Sequence, residues 1–255
     1  MKAVAVIPAR GGSKRIPRKN IRLFDGIPLI AHSIRRAIAS GCFERILVST
    51  DDPEIAGHAR REGAEVPFQR PSELADDHAG TGAVVCHALE WLANCGQLPE
   101  LACCLYATSP LGRVEDLLRG RDALLAAPDR QFAFSVTTFA FPIQRALRLT
   151  AAGGVEPMYP EFIGRRSQDL EEAYHDAGQF YWGRSEAFLR GVPMFSDAAI
   201  PIILPRHRVQ DIDTPEDWER AEYLYHALQL AHRDGGEGRA QEAGLDLGDA
   251  RRDPR

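Results

Sequence analysis

The sequence predicts an α/β fold in which helices cover both faces of a mostly parallel sheet. Short apolar runs alternate with amphipathic segments along most of the chain, which is the order that strands and helices take in such folds. The run at 101–107 is apolar throughout, as expected of a strand that is buried on both faces. The 255 residues, 44% of them hydrophobic, suffice for one large domain with a substantial core.

The individual elements follow from local patterns. The predicted strands are short apolar runs, at 3–8, 45–50, 101–107, 179–182 and 199–204. The predicted helices carry apolar side chains at three- or four-residue spacing, at 28–40, 53–61, 81–92, 114–126 and 215–231. Gly41 and Gly63 follow the first two helices, and glycine often marks the end of a helix.

Two segments depart from this order. Proline and glycine interrupt residues 137–176, so this stretch is either a plain excursion or an arm that reaches a partner subunit or closes over a substrate. Residues 233–255 are rich in Gly, Ala, Asp and Arg, and they bury too little apolar surface to offset their ordering entropy. We therefore expect one domain at 1–232, with the arm inside it, and a disordered tail at 233–255.

The composition argues against several classes of protein. With 31 Lys and Arg against 36 Asp and Glu, the formal net charge is -5, whereas a general nucleic-acid binder is usually basic. No apolar run reaches the roughly 18 residues that a membrane span needs, and no signal-peptide pattern precedes the first strand. The five cysteines show no metal-ligand spacing, which favours reduced packing residues. We expect a cytoplasmic protein with no nucleic-acid or membrane partner.

A cationic loop follows the first strand. The stretch ARGGSKRIPRKN (9–20) and its neighbour Arg22 hold six Lys and Arg residues, and no acid interrupts them. Ligands bind beyond the carboxyl ends of parallel strands, and Gly11 and Gly12 let the backbone approach an anion closely. The spacing fits neither a P-loop nor a GxGxxG fingerprint. The stretch is therefore either a phosphate-binding loop or a solvated basic loop.

A second polar constellation, VQDIDTPEDW (209–218), precedes the last predicted helix. Thr214 and Asp217 have the spacing of a helix N-cap and its capping acid, which explains Asp217. Asp211 and Asp213 lie two residues apart, so in an extended segment both carboxylates face one side while the residue between them faces the core. Mg²⁺ prefers such oxygen ligands together with substrate phosphates. If the pair shares a crevice with the cationic loop, the two indicate a metal–phosphate site.

Five motifs, taken in order, resemble those of the cytidylyltransferases that activate nonulosonic, sialic-type acids. They are ARGGSKRIPRKN (9–20), STDD (49–52), RPSELADD (70–77), ATSPL (107–111) and DIDTPED (211–217). Within that family, the branch that activates pseudaminic acid is the most similar at FPIQRAL (141–147) and RSQDLEEAYHDAGQFYWG (166–183).

The resemblance implies a Rossmann-like nucleotidyltransferase fold and a homodimer in which a dimerisation arm, at about 137–176, reaches from each subunit to the other. The implied reaction is CTP + pseudaminic acid → CMP-pseudaminic acid + diphosphate. The resemblance also implies that the product is used for surface-glycan or flagellin glycosylation. It implies Mg²⁺ or Mn²⁺ as the cofactor, with CTP as co-substrate.

The resemblance also assigns roles to individual residues. The residues that match the CTP-binding loop or lie near the nucleotide are Arg10, Gly12, Ser13, Lys14, Lys19, Asn20, Arg70 and Thr81. Asp211 and Asp213 match metal ligands, Arg166 matches a position near the carboxylate of the sugar acid, and Gln179 lies on the strand that lines the sugar pocket. Catalysis is assigned to Lys19, Arg10 and Asp211, which neutralise charge while the anomeric hydroxyl of the sugar attacks the α-phosphorus.

Two departures separate the chain from the sialic acid branch. That branch commonly reads QPTSPLR, whereas in this chain Gly112 follows the leucine and Arg113 comes one position late, so the role of this arginine stays open. The branch has Asn-Gly where this chain has Ala177-Gly178, and the loss of that amide argues for a different nonulosonate. The alternatives are a CMP-N-acylneuraminate or CMP-legionaminate synthetase, a glycosyltransferase that uses a nucleotide sugar, and a catalytically silent nucleotide-binding subunit.

Overall fold

A computed structural model describes residues 2–76 and 80–234. Within them, the strands are β1 (Ala3–Pro8), β2 (Leu23–Phe24), β3 (Ile27–Pro28), β4 (Arg45–Ser49), β5 (Leu101–Leu105), β6 (Phe132–Thr138), β7 (Leu147–Leu149), β8 (Val155–Pro157), β9 (Tyr174–Arg184) and β10 (Ala199–Ile203). The main sheet has six strands in the order β10-β6-β9-β5-β1-β4. Its strands are parallel except β9, which is antiparallel to β5 and β6, so the predicted mostly parallel sheet is confirmed.

The helices are α1 (Leu29–Ser40), α2 (Pro53–Arg61), α3 (Thr81–Asn94), α4 (Val114–Ala126), α5 (Ser185–Leu189) and α6 (Pro215–Asp234). The five predicted helices are confirmed, and α1 ends at Gly41, whose φ of 60° lies in the left-handed region that favours glycine. β6 was not predicted, because its run FAFSVTT continues into FAFP with no turn residue to separate the two.

Apolar side chains cover both faces of the main sheet, since successive residues of β1 point into different clusters. Ala5 and Ile7 pack with Ile34 of α1 and Leu117 of α4, in a cluster that also includes residues of α2. The intervening residues of β1 pack instead with side chains of α3 and α5, such as Leu89. The predicted covering of both faces by helices is therefore confirmed.

A third, smaller cluster ties the cationic loop to the last helix. Ile16 from the loop packs with Phe24, with Ile212 from the acidic segment, and with Trp218 of α6. Ile212 is fully buried, so the residue between Asp211 and Asp213 faces the core as predicted. This cluster fixes the loop and the acidic segment, which are far apart in sequence, on one side of the molecule.

The segment between β6 and β9 contains the hairpin of β7 and β8 and several short 3₁₀ turns. It exposes large apolar side chains: Phe141 is 81% exposed and Leu149 is 83% exposed, and Leu147, Val155 and Ile163 are exposed as well. Large apolar side chains that are exposed together in one segment are often found at interaction sites.

The predicted disordered tail lies outside the described residues, except for 233 and 234, which belong to α6. Over the ranges that the structure covers, none of the helices combines the length and the apolar character needed to cross a membrane.

Candidate active site

A cavity of about 300 Å³ opens at the carboxyl ends of β1 and β5. Arg10, Lys14 and Lys19 line it together, so these three cations of the loop face one shared cavity. Four other residues predicted to bind the nucleotide also line it, namely Ser13, Asn20, Arg70 and Thr81, whereas Gly12 is not among the lining residues. The cavity is completed from the end of β5 and from the acidic segment, by Tyr106, Ala107, Thr108 and Asp213.

Hydrogen bonds within the loop set its shape. The Ser13 amide donates to the Gly11 carbonyl at 2.9 Å, which closes a tight turn. The buried Asn20 side chain donates from Nδ2 to the Arg10 carbonyl at 3.0 Å. Asn20 therefore holds the two ends of the loop together, and its amide nitrogen is used for this purpose.

Two acids at the carboxyl end of β4 hold the loop from outside, and we call Asp51, Asp52 and Arg18 the loop brace. The Gly11 amide donates to Asp51 Oδ1 at 2.9 Å, and Arg18, with a left-handed φ of 56°, donates to both carboxylate oxygens of Asp52. A Cβ atom on Gly11 would lie 2.8 Å from Asp52 Oδ2, so this approach requires glycine. The STDD motif signals the brace in the sequence, although its role was not predicted.

Asp52 has a second structural role. Its side chain accepts the Glu54 and Ile55 amides at 2.9 Å and so caps the N-terminus of α2. The hydrogen bond from Arg18 is the main cause of the lowered pKa of Asp52, and the two amides lower it further. Asp52 thus remains a carboxylate that serves the helix and the loop together.

Arg70 reaches the cavity from a buried position. Its guanidinium donates to the Ser49 hydroxyl at 3.1 Å and also to the Ser49 carbonyl. Burial lowers the pKa of Arg70 to about 10, which leaves it cationic at neutral pH. A desolvated cation at the floor of the cavity attracts an anion more strongly than an exposed one.

The acidic segment meets the cationic loop at Lys19. Lys19 Nζ donates to the Ile212 carbonyl at 2.5 Å and lies 3.3 Å from Asp213 Oδ1. Arg15 pairs with the other oxygen of Asp213 at 2.7 Å. The loop and Asp213 therefore share one crevice, whereas Asp211 is not among the residues that line it.

Asp217 holds the acidic segment in place. Its Oδ2 accepts the Thr214 amide and the Thr214 hydroxyl, each at 2.8 Å, and the Asp213 amide at 3.2 Å. The Asp217 amide in turn donates to Thr214 Oγ1 at 3.2 Å. This reciprocal arrangement is the capping box that the sequence predicts, and it fixes the backbone at Asp213.

The two acids suit a divalent cation that takes its remaining ligands from phosphate and water. The part of the chain described here holds no group of three or more His, Cys, Asp and Glu side chains arranged to bind a metal. Desolvation by the surrounding protein and the nearby Asp213 carboxylate raise the pKa of Asp211. A cation between the two would relieve this repulsion, and one or two carboxylates plus phosphate oxygens is the usual ligand set for Mg²⁺.

A second cavity, of about 560 Å³, lies beside the acid pair. Asp211 lines it, and Asp213 and Arg15 line both this cavity and the first. Asp176 and Ala177, from the start of β9, also contribute to its wall. A molecule in the second cavity would therefore be next to one in the first, with Asp213 and Arg15 between them.

Asp176 is a functional candidate that the structure adds to the predicted residues, since it lines the second cavity. Tyr181 donates its hydroxyl to Asp176 Oδ2 at 2.6 Å, and burial raises the pKa of Tyr181, which keeps the phenol a donor. The ring nitrogen Nδ1 of the adjacent His175 is hydrogen-bonded to the backbone carbonyl of Asp176, so the two side chains do not pair. Asp176 and Tyr181 are five residues apart in the sequence, and this spacing alone gives no reason to expect a hydrogen bond between them.

Neither of the two residues predicted to bind the sugar lines these two cavities. Arg166 lies in the arm, where it pairs with Asp169 at 2.7 Å and lines a separate cavity of about 420 Å³. Gln179 is 3% exposed and donates from Nε2 to the Arg208 carbonyl at 2.6 Å. Gln179 therefore has an internal partner, and its contact with a substrate stays a prediction.

The profile of the cytidylyltransferase family matches residues 4–156. A pseudaminic acid cytidylyltransferase of Campylobacter jejuni is 45% identical over 225 residues, which are 88% of this chain and 97% of that protein. A CMP-N,N'-diacetyllegionaminic acid synthase of Legionella pneumophila is 32% identical over 241 residues, which are 91% of this chain and 99% of that protein.

Among solved structures, the CMP:2-keto-3-deoxy-manno-octonic acid synthetase complexed with CTP has a similar fold. The TM-score is 0.65 at 18% identity, and the match covers 89% of this chain and 100% of the other. The similarity establishes the nucleotidyltransferase fold that the sequence predicts.

The loop brace can be separated from the helix cap by substitution at Asp52. Asp52→Ala removes both functions, whereas Asp52→Ser retains a side chain that can cap α2. Loss of a cap costs about 1 kcal/mol, so urea unfolding should show a larger loss of stability for Asp52→Ala than for Asp52→Ser. Hydrogen exchange of the Gly11 and Ser13 amides should accelerate in both variants. Protection of these amides at the wild-type level in Asp52→Ser would show that Arg18 and Asp52 do not hold the loop.

Proposed function

The chain belongs to the cytidylyltransferase family, and from that premise we propose that it transfers the cytidylyl group of CTP to pseudaminic acid. It is a nucleotidyltransferase. The nucleotide half of the proposal is supported by one observation above all, the cavity in which Arg10, Lys14 and Lys19 converge beside Asp213. The sugar half is supported by the relative from Campylobacter jejuni, which is named for pseudaminic acid.

The proposed reaction is an in-line displacement at the α-phosphorus of CTP. The anomeric hydroxyl oxygen of the sugar acid forms a bond to that phosphorus, the bond from phosphorus to the bridging oxygen breaks, and diphosphate leaves while the hydroxyl proton is released. No nucleophile from the protein is required. Arg10, Lys14 and Lys19 hold the triphosphate and offset the charge that develops on the leaving diphosphate.

Asp211 and Asp213 are the residues that would hold Mg²⁺ or Mn²⁺. A bound ion of this kind supplies polarisation of the α-phosphate and acidifies a nearby hydroxyl. Lys19 keeps the segment of these acids against the loop through its bond to the Ile212 carbonyl, and Asp217 fixes the backbone of Asp213. The protein's own contribution is therefore to hold Asp213 at the border of the two cavities, with Asp211 beside it in the second.

We place the sugar acid in the second cavity, beside the acid pair. There Asp176 offers a carboxylate to the hydroxyl and amide groups of a nonulosonic acid, whereas Ala177 offers no amide. Arg166 would bind the sugar carboxylate with two parallel hydrogen bonds, which suits a planar guanidinium. Because Arg166 lies in the arm of its own chain, it would have to come from a second copy.

A homodimer joined by the arms is therefore part of the proposal. The exposed apolar side chains of the arm, among them Phe141 and Leu149, would be buried by a second copy, which provides the driving force for association. The five cysteines are free thiols, which supports a cytoplasmic enzyme because that compartment keeps thiols reduced.

The direct test is release of diphosphate from CTP and Mg²⁺ with a panel of nonulosonic acids. We expect kcat/KM for pseudaminic acid to exceed the values for N,N'-diacetyllegionaminic and N-acetylneuraminic acids by at least about tenfold, or about 1.4 kcal/mol. Lys19→Ala should lower kcat/KM for CTP by about ten- to two-hundredfold, since a charge-assisted contact contributes roughly 1.5–3 kcal/mol. Lys2→Ala, at an exposed position, is the matched control.

Equal kcat/KM values for the three sugar acids would overturn the choice of pseudaminic acid but not the cytidylyltransferase chemistry. Binding of CTP without diphosphate release for any acid would favour a silent nucleotide-binding subunit.

The crossing of the arms can be tested by mixing two inactive variants. Arg166→Ala and Asp211→Asn should each abolish most of the activity as pure proteins. If the arm serves the other subunit, a mixed dimer contains one site with both residues intact. Unfolding and refolding the two variants together at equal amounts should then restore about one quarter of the wild-type activity. Absence of any recovery in a refolded dimer, shown to be mixed by differential tagging, would contradict the crossed arrangement.

A further inference from the structure

Arg36 of α1 is an unusual buried charge that the proposed reaction does not use. It is 7% exposed. Its guanidinium donates to the Ser109 carbonyl at 2.5 Å, to Ser109 Oγ at 2.7 Å and to Ser33 Oγ at 3.2 Å. Arginine is rarely buried to this extent unless it is paired with an acid. Asp116 lies close enough to affect Arg36, but its own carboxylate is bonded to Arg208.

The hydrogen bonds of Arg36 lead to the wall of the nucleotide cavity. The Ser109 and Ser33 hydroxyls that accept from Arg36 each donate to the Tyr106 carbonyl at 2.7 Å. Tyr106 and the next two residues, 107 and 108, line the cavity together with the cations of the loop. Arg36 therefore holds the segment 106–109 in place through hydrogen bonds to Ser33 and Ser109, which in turn bond the Tyr106 carbonyl.

The space that Arg36 occupies is available because residue 112 is a glycine. A Cβ atom on Gly112 would lie 2.1 Å from Arg36 Nη1 and 2.5 Å from Cζ, so no larger residue fits while Arg36 is in place. Gly112 is required here for space. The same contact gives a physical reason for the departure noted in the sequence, in which the arginine comes at 113 and not at 112, since a side chain at 112 would collide with Arg36.

We propose that Arg36 is a positioning residue for CTP, and that Gly112 is the residue that admits it. Arg36 fixes the segment 106–109 so that its cavity-facing side accepts the nucleotide opposite Arg10, Lys14 and Lys19. A guanidinium is suited to this work because its fork bonds the carbonyl and the hydroxyl of Ser109 together, which a single ammonium group does not reproduce. The inference rests on the proposed use of CTP.

The test compares Arg36→Met and Arg36→Lys with the matched control Arg35→Met, which alters the exposed neighbour that pairs with Glu62. We expect KM for CTP to rise about tenfold or more in Arg36→Met, with an intermediate rise in Arg36→Lys and none in Arg35→Met. At saturating CTP, kcat should stay within about threefold of the wild-type value, since the reacting groups are not altered. Calorimetric binding of CTP alone should weaken by the same factor as KM.

Gly112→Ala is a second, independent test, because it displaces the guanidinium of Arg36 without removing it. In the wild-type background the added methyl group displaces the guanidinium, so CTP binding should weaken. In an Arg36→Ala background the same methyl group meets no guanidinium, and CTP binding should not weaken further. Unchanged CTP affinity in folded Arg36→Met or in Gly112→Ala, or the same loss from Gly112→Ala in both backgrounds, would overturn the proposal. Failure of the wild-type protein to bind CTP would instead overturn the proposed function.

Discussion

The contact between Lys19 and the acidic segment is the constraint on which the rest of the site depends. It joins side chain and backbone groups that are 193 positions apart, and it brings the loop after the first strand against the segment before the last helix. A small apolar cluster, formed by Ile16, Phe24, Ile212 and Trp218, packs the same two segments against each other. The capping box at Asp217 fixes the backbone that carries the acids. The cations of the loop and the proposed metal ligands are therefore held next to each other by contacts that do not depend on a bound ligand.

The crowding of positive charge in an acidic chain has a structural explanation. The cations divide into two sets, because Arg18 is bound to acids outside the cavity, whereas Arg10, Lys14 and Lys19 line it. Arg70 adds a buried cation whose pKa is lowered to about 10 and which is still charged at neutral pH. Like charges held this closely repel one another, so the loop gains most from a polyanion that binds across all of them.

The sequence was sufficient for features that depend on local pattern. Continuous apolar runs and four-residue stripes predicted five helices and most of the main sheet, and the spacing of Thr214 and Asp217 predicted the capping box. Features that depend on tertiary contact could not be predicted in this way. No local pattern shows that Asp52 reaches Arg18, or that Arg36 fills the space beside Gly112. Arg166 is a different case, since its proposed role requires a second chain.

If the acid pair and the cationic loop bind one metal–nucleotide complex, Mg²⁺ should strengthen the binding of CTP, and calorimetry in the presence and absence of Mg²⁺, without the sugar acid, measures this directly. For the wild-type protein, the account predicts that CTP affinity rises about tenfold or more from EDTA to millimolar Mg²⁺. In Asp211→Asn most of this gain should be lost, whereas the exposed control Asp129→Asn should retain it. An equal gain in Asp211→Asn and in the wild-type protein would contradict the account, because the ion would then act without the acid pair.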